Sequence, residues 1–435
     1  MDDQSPLPGV AGSGGSGRAT DGGGSGPATS LAATVRRRLH AAPAGVLDGV
    51  RADVVLDGRA GDACTVRIRN GLVDVRAGVD GTPTTVITSD PVTLHEVADG
   101  TRSGVEAFLH GRLSVRGNLA LALELDGLLD HPAPGPRGPA ASDARPDRFT
   151  RAGNTAAAGV RTFHLEAGPV DAPAVVCLHG LGATNASLLP IFWDLAADHR
   201  VLAPDLPGHG ASGAPRARYD AAFFARWLDE WMHQMGIDSA VVLGNSLGGR
   251  IALEAALRRP DRIRALLLLA PAVTFRRIRQ FVPLVRIMRP ELAALPLPMS
   301  HIAAVAGIRF LFAKPDRLSP SWYGSAAGEF VRLYHKRDHR VAFYSALRNL
   351  YLDDAFGQSG FWTRLPRLDT PALFIWGARD RLVPAGFARH VADAVPRSGS
   401  VTFEDCGHVP QFEMPERTSQ TIRSFLDGLA PHLVP

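Results

Sequence analysis

A chain of 435 residues, 45% hydrophobic and 21% charged, has ordinary globular composition and enough apolar material for more than one core. Its 47 basic and 43 acidic residues leave a net charge of +4, too small an excess to suggest a nucleic-acid partner. Cys64, Cys177 and Cys406 are too few and too far apart for a disulfide framework or a cysteine metal cluster, so a reducing compartment is expected. No secretory leader and no uncharged apolar run of about 20 residues is read, which leaves the cytoplasm as the expected location.

Residues 1–30 are dominated by Gly, Ser, Ala and Pro. Such a segment cannot bury enough apolar surface to offset its ordering entropy, so a disordered tail is expected. An N-terminal module spans residues 31–129 and opens with a helix-like segment, Leu31 to Leu47. Short runs then mark strands at Val54–Leu56, Cys64–Arg69 and Leu72–Arg76, with the tight-turn dipeptide Asn70-Gly71 between the last two. Thr84–Thr88 is a further strand. Pro91–Ala98 and Val105–Leu109 are helical pieces, Arg112–Val115 is a short strand, and Leu119–Leu129 is an apolar closing helix. The module is a small α+β fold.

Three stretches of it carry a family resemblance: the hairpin Val66–Val75, the segment Ile87–Leu94, and Glu106-Ala-Phe-Leu-His-Gly-Arg-Leu-Ser-Val-Arg-Gly-Asn-Leu-Ala120. The last runs from a short helix through a Gly, a basic strand and a second Gly into the final helix. This order resembles the sterol carrier protein lipid-transfer domain and covers nearly the whole module. The resemblance implies a lipid ligand: a fatty acyl chain, a sterol or a similar molecule. The plainer reading of the same residues is a packed accessory domain without a ligand.

Residues 130–158, with His131-Pro-Ala-Pro-Gly-Pro-Arg-Gly-Pro139, have linker composition. The second module, residues 159–435, alternates strands and helices. Strands are expected at Val160–Leu165, Ala174–Leu178, Arg200–Ala203, Ala240–Leu243, Arg264–Leu269, Ala372–Ile375 and Ser400–Phe403. Helices are expected at Ala221–Met235, Leu247–Arg258 and Ala385–Ala394. Alternation of this kind implies a mostly parallel sheet covered on both faces. It fails over about residues 272–366, a helix-rich, Pro-punctuated insertion large enough to cap the sheet.

Gly244-Asn-Ser-Leu-Gly248 sits between a strand and a helix, the context of a nucleophile elbow that would hold the Ser246 hydroxyl up at a sheet edge. A serine hydroxyl needs a base. His408 follows the last expected strand, and Asp380 follows the strand before it. Taken singly, His408 could be a satisfied loop histidine and Asp380 a helix N-cap. Jointly they form a Ser–His–Asp set in the chain order found in α/β-hydrolases. The chain from Val160 to Leu429 thus resembles the α/β-hydrolase family: an α/β-hydrolase sandwich with a helical cap, preceded by the sterol-carrier-like α+β domain. The resemblance implies oxyanion donors at the backbone N–H groups of Leu181, in His179-Gly-Leu-Gly182, and of Leu247. Asp205 and His209, in Pro204-Asp-Leu-Pro-Gly-His-Gly210, read as scaffold.

In the insertion, Phe275–Arg289 carries five Arg and no acid. Its two readings are contact with an anionic membrane surface or a solvated helix packed on the core, and Pro283 favours packing. Phe330, Tyr334, Phe343, Tyr344 and Tyr351 read as core or as the lining of a lipophilic pocket. The function expected is hydrolysis of a carboxylic ester, lipophilic if the N-terminal module holds lipid, by a serine enzyme using no metal and no organic cofactor. Carbon–carbon bond hydrolysis or a cofactor-free perhydrolase on the same fold stays open, as does a lipid carrier with a vestigial hydrolase module.

Overall fold

The computed structural model describes residues 30–40, 51–59, 62–69, 72–117 with short gaps, positions 122, 125 and 129, 151–274, and 291–433 with gaps before 298. Most of the expected tail, the Pro-rich stretch 131–150 and the basic segment Phe275–Arg289 lie outside the described residues.

The first sheet has five strands in the order β3-β2-β1-β4-β5. Helix α1 (Leu31–His40) precedes β1 (Arg51–Asp57), β2 (Ala63–Arg69), β3 (Leu72–Ala77) and β4 (Thr85–Ser89). Helices α2 (Pro91–Ala98) and α3 (Gly104–Leu109) follow, then β5 (Leu113–Gly117). Leu31, Val35 and Leu39 recur at a spacing of one helical turn and are at most 1% exposed, so α1 lays one apolar stripe on the sheet. Asp90 starts α2 by accepting the Thr93 N–H, with Pro91 in the first turn where its missing donor costs nothing. Ala122, Leu125 and Leu129, buried and helical, lie where the closing helix is expected.

The second sheet has eight strands in the order β13-β12-β11-β10-β8-β9-β7-β6. Its elements run β6 (Arg151–Ala157), β7 (Val160–Ala167), β8 (Ala174–Leu178), α4 (Leu189–Leu195), β9 (Arg200–Pro204), α5 (Ala221–Gln234), β10 (Ala240–Asn245), α6 (Leu247–Arg258) and β11 (Ile263–Leu269). After the insertion come β12 (Ala372–Gly377), α10 (Phe387–Ala394), β13 (Gly399–Phe403) and α11 (Pro415–Leu433). The insertion itself carries α7 (His301–Phe310), α8 (Pro320–Tyr334) and α9 (Arg337–Leu352). Strands β10 and β12 are buried at every position, as the continuous apolar runs demand when helices cover both faces. Among the described residues no helix is long and apolar enough to cross a membrane.

One expectation is corrected. Residues 130–158 read as linker, yet Arg151–Ala157 is strand β6, paired with β7 from Arg151↔Glu166 to Ala157↔Val160. Its sequence lacks apolar alternation because it is an edge strand, held by its backbone ladder. Ala158 and Gly159, at φ 48 and 74, close the hairpin with the left-handed geometry that such a turn requires.

The two sheets are joined through the insertion. Strand β5 is an edge strand, and α8 covers its open side. Val115 donates its backbone N–H to Ser325 Oγ at 3.0 Å, both residues being buried. Val115, Trp322 and Tyr323 belong to one apolar cluster that runs from the first sheet into the second.

Candidate active site

Ser246 sits where β10 gives way to α6, at φ 54 and ψ −113. A side chain in that region is strained, and the turn holds because its backbone is tied on both sides. The Ser246 N–H donates to the Leu269 carbonyl at 3.0 Å, and its carbonyl accepts from Ala272 at 2.9 Å. Glycine is obligatory at two flanking positions. A side chain at Gly244 would meet the backbone of Gly248 and Gly249, and one at Gly248 would collide with the Leu178 carbonyl.

Asp380 lies just beyond β12 and His408 just beyond β13. His408 Nδ1 and Asp380 Oδ2 are 2.7 Å apart, in side chains only 4% and 1% exposed. Asp380 Oδ1 accepts the N–H groups of Leu382 and Val383 at 2.7 and 2.9 Å. The carboxylate therefore both caps a turn and fixes the imidazole. His408 Nε2 is buried and has no hydrogen-bond partner. The loops are tied to the serine turn by Asn245, whose Nδ2 donates to the carbonyls of Leu269 at 3.0 Å and His408 at 3.2 Å.

The turn after β8 faces the same place. A Cβ built on Gly180 would sit 3.4 Å from the Ser246 Cβ, so this turn packs directly against the serine. Among the described residues, the backbone N–H groups of Leu181 and Leu247 have no protein acceptor. His179 is the brace. Its Nε2 accepts the Leu206 N–H at 3.0 Å and Nδ1 donates to the Gly180 carbonyl at 2.8 Å. Burial pulls its pKa down to about 3, so it is neutral. Asp205 accepts from Asn185 and Ala211 at 2.8 and 2.7 Å, tying down its turn. His209 is buried against His179 and donates Nδ1–H to the Pro207 carbonyl at 3.0 Å, on a different loop from His408.

Sequence reasoning missed Glu413. This buried carboxylate accepts the N–H of Gly407 at 2.6 Å, of Ala313 at 2.9 Å and of Lys314 at 3.0 Å, clamping the His408 loop to the insertion. A lone acid after His408 carries no periodic or motif signal. It also missed a buried charge cluster on α6. Arg250, 1% exposed, pairs with Glu254 at 3.0 Å and Asp353 at 2.7 Å. Burial pushes the Glu254 carboxyl up, but Arg364, Arg250 and Arg258 outweigh it and hold the group down at about 2. Phe330 and Phe343 meet edge to face at 5.7 Å and close over Gly182, whereas Phe312 is core against Trp322 and Tyr323. Among the described residues, no three His, Cys, Asp or Glu side chains are placed to share a metal ion.

Residues 173–415 match the alpha/beta hydrolase fold family over more than half of the chain, and the protein belongs to that family. Residues 44–130 match the SCP-2 sterol transfer family. The chain is 30% identical over 279 residues to the pimeloyl-[acyl-carrier protein] methyl ester esterase of Aromatoleum aromaticum, covering 60% of this chain and 100% of that one. It is 27% identical over 241 residues to the 2-hydroxymuconate semialdehyde hydrolase of Pseudomonas putida, covering 52% and 76%. Among solved structures it is similar to a membrane phospholipase A described as a bacterial virulence factor, at 27% identity and a TM-score of 0.55, covering 65% and 87%. The fold and the relatives together define a hydrolase-family protein with esterase, lipase and carbon–carbon hydrolase kin.

Proposed function

We propose that the chain hydrolyses carboxylic esters through an acyl-enzyme on Ser246. The observation that carries this reading is the state of His408. Asp380 holds its Nδ1, while its Nε2 is buried, unbonded and on a loop tied to the serine turn. Such a nitrogen is a base without a proton to hold. In this reaction Ser246 Oγ attacks the ester carbonyl as His408 Nε2 takes the hydroxyl proton. Asp380 keeps the imidazole in the tautomer that can accept it and stabilises the imidazolium. The oxyanion is met by the N–H groups of Leu181 and Leu247, and a donor of this kind is worth about 3 kcal/mol. His408 then protonates the departing alcohol, and water, deprotonated by the same nitrogen, releases the acid.

Residues 31–129 form the lipid-binding module in this reading, joined to the hydrolase module that begins near residue 159. The substrate is accordingly a lipophilic ester. The cytoplasm is the proposed location, supported by three cysteines that are all free and buried. A second reading, carbon–carbon bond hydrolysis, is supported by the likeness to the 2-hydroxymuconate semialdehyde hydrolase.

The test is a hydrolysis profile over p-nitrophenyl esters of increasing chain length with the full chain. Turnover rising with acyl length, and lost in Ser246→Ala, is the expected result. Absence of ester turnover together with cleavage of a ring-fission product would replace the first reading by the second.

A further inference from the structure

A cavity of about 380 Å³ opens between the start of α5, α6 and the end of α9. One of its walls is Leu247, the residue that follows Ser246 in the chain. It is rimmed by charge, with five arginines against four carboxylates. Four of those arginines are spoken for: Arg218 by Asp220, and Arg250, Arg258 and Arg364 by Glu254. Arg348 is the fifth. It lines the cavity from α9, makes no ion pair among the described residues, and has a buried Nε without any hydrogen-bond partner. A guanidinium nitrogen removed from water and left without an acceptor is unfavourable unless a ligand supplies one.

We infer that this cavity is an anion subsite in which Arg348 binds the carboxylate or phosphate group of the ester substrate, at the end remote from the scissile bond. The inference rests on the proposed ester hydrolysis for its substrate class and on the cavity for its location. The chemistry follows from the side chain. A guanidinium offers planar paired donors that match the oxygens of a carboxylate or phosphate. The other four arginines hold their positions through carboxylates, so the excess positive charge falls on Arg348. Because Leu247 carries one of the proposed oxyanion donors, an ester seated with its carbonyl there has its far end directed along this cavity. Phosphate-bearing lipids and acids with a second carboxylate share the required chemistry.

The test separates binding from turnover. The full chain bearing Ser246→Ala is titrated calorimetrically with monomethyl adipate, neutral dimethyl adipate and inorganic phosphate. The same series is then run on S246A/R348Q and S246A/R348K. The expected result is that an anionic probe binds, that dimethyl adipate binds more weakly, and that R348Q weakens the anion about 10- to 100-fold, as loss of a charge-assisted hydrogen bond does. R348K is expected to recover part of the loss, since it keeps the charge. Binding of adipate alone assigns a carboxylate site, of phosphate alone a phosphate site, and of both a general oxyacid site. No anion binding, or affinities unmoved by R348Q, would overturn the inference. If wild-type chain cleaves no ester while the anions still bind through Arg348, the ester reading fails and the subsite stands.

Discussion

The backbone N–H of Val115, on the edge strand of the first sheet, donates to the hydroxyl of Ser325, on a helix inserted into the second, across 210 residues of sequence. An edge strand exposes alternate N–H groups, and this one is satisfied by a side chain rather than by a further strand. Ser325→Ala leaves a buried donor unmet, which costs about 1–3 kcal/mol. Urea unfolding is expected to show that loss, with the first sheet losing amide-exchange protection along with α8. An unchanged midpoint would mean that the two sheets are not coupled through this bond.

Glu413 holds three backbone N–H groups on two segments, one of them beside His408. Glu413→Ala is expected to lower kcat for an ester by about tenfold with KM nearly unchanged, because the imidazole is displaced and the binding surface is not. Glu413→Gln retains one acceptor oxygen and is expected to lose less. Equal losses in the two variants, confined to KM, would contradict a positioning role.

Ser246 is strained at φ 54, and a glycine there would be relaxed. Ser246→Gly is expected to raise the unfolding free energy by about 1 kcal/mol while removing ester turnover. Gly248→Ala is expected to prevent folding, since the new methyl meets the Leu178 carbonyl. Thermal denaturation of the first variant and the soluble yield of the second check these outcomes.

Four buried histidines set the acid limb of stability. Burial pulls His164, His209 and His339 down to about 4 and His179 to about 3. An unfolded histidine titrates near about 6.5. Between that pH and about 4 the unfolded chain binds protons that the folded chain refuses, so stability falls as pH falls. Asp205 acts in the opposite sense, because burial raises its carboxyl to about 7 and the folded state keeps a proton that the unfolded state releases. Four groups against one leave a net of about three protons, roughly 4 kcal/mol per pH unit at most. Urea midpoints at about pH 7 and about pH 5 are expected to show a steep loss on acidification, and a flat profile would contradict it.

How far the sequence reveals the molecule depends on where the information is stored. Strand Ala174–Leu178 and helix Leu247–Arg258 have the ends read from sequence, because burial on all sides imposes a continuous apolar run and the elbow glycines punctuate the chain. The meeting of Asp380 and His408 was legible for a related reason: each follows a strand whose end is marked by a glycine or an acid. Strand β6 was hidden because its ladder is backbone to backbone, which leaves no mark on side-chain pattern. Glu413, the Arg250 cluster and the Val115–Ser325 bond were hidden because their partners lie far apart in sequence. A polar residue whose partner is fixed only by tertiary structure looks like any surface residue until the fold brings the two together.

The most direct test of the Ser246 reading is active-site titration of the full chain with a p-nitrophenyl alkylphosphonate, followed by peptide mapping. One equivalent of p-nitrophenolate, an adduct on Ser246 and parallel loss of ester turnover are expected. Turnover that survives in Ser246→Ala, or an adduct formed at another residue, would contradict it.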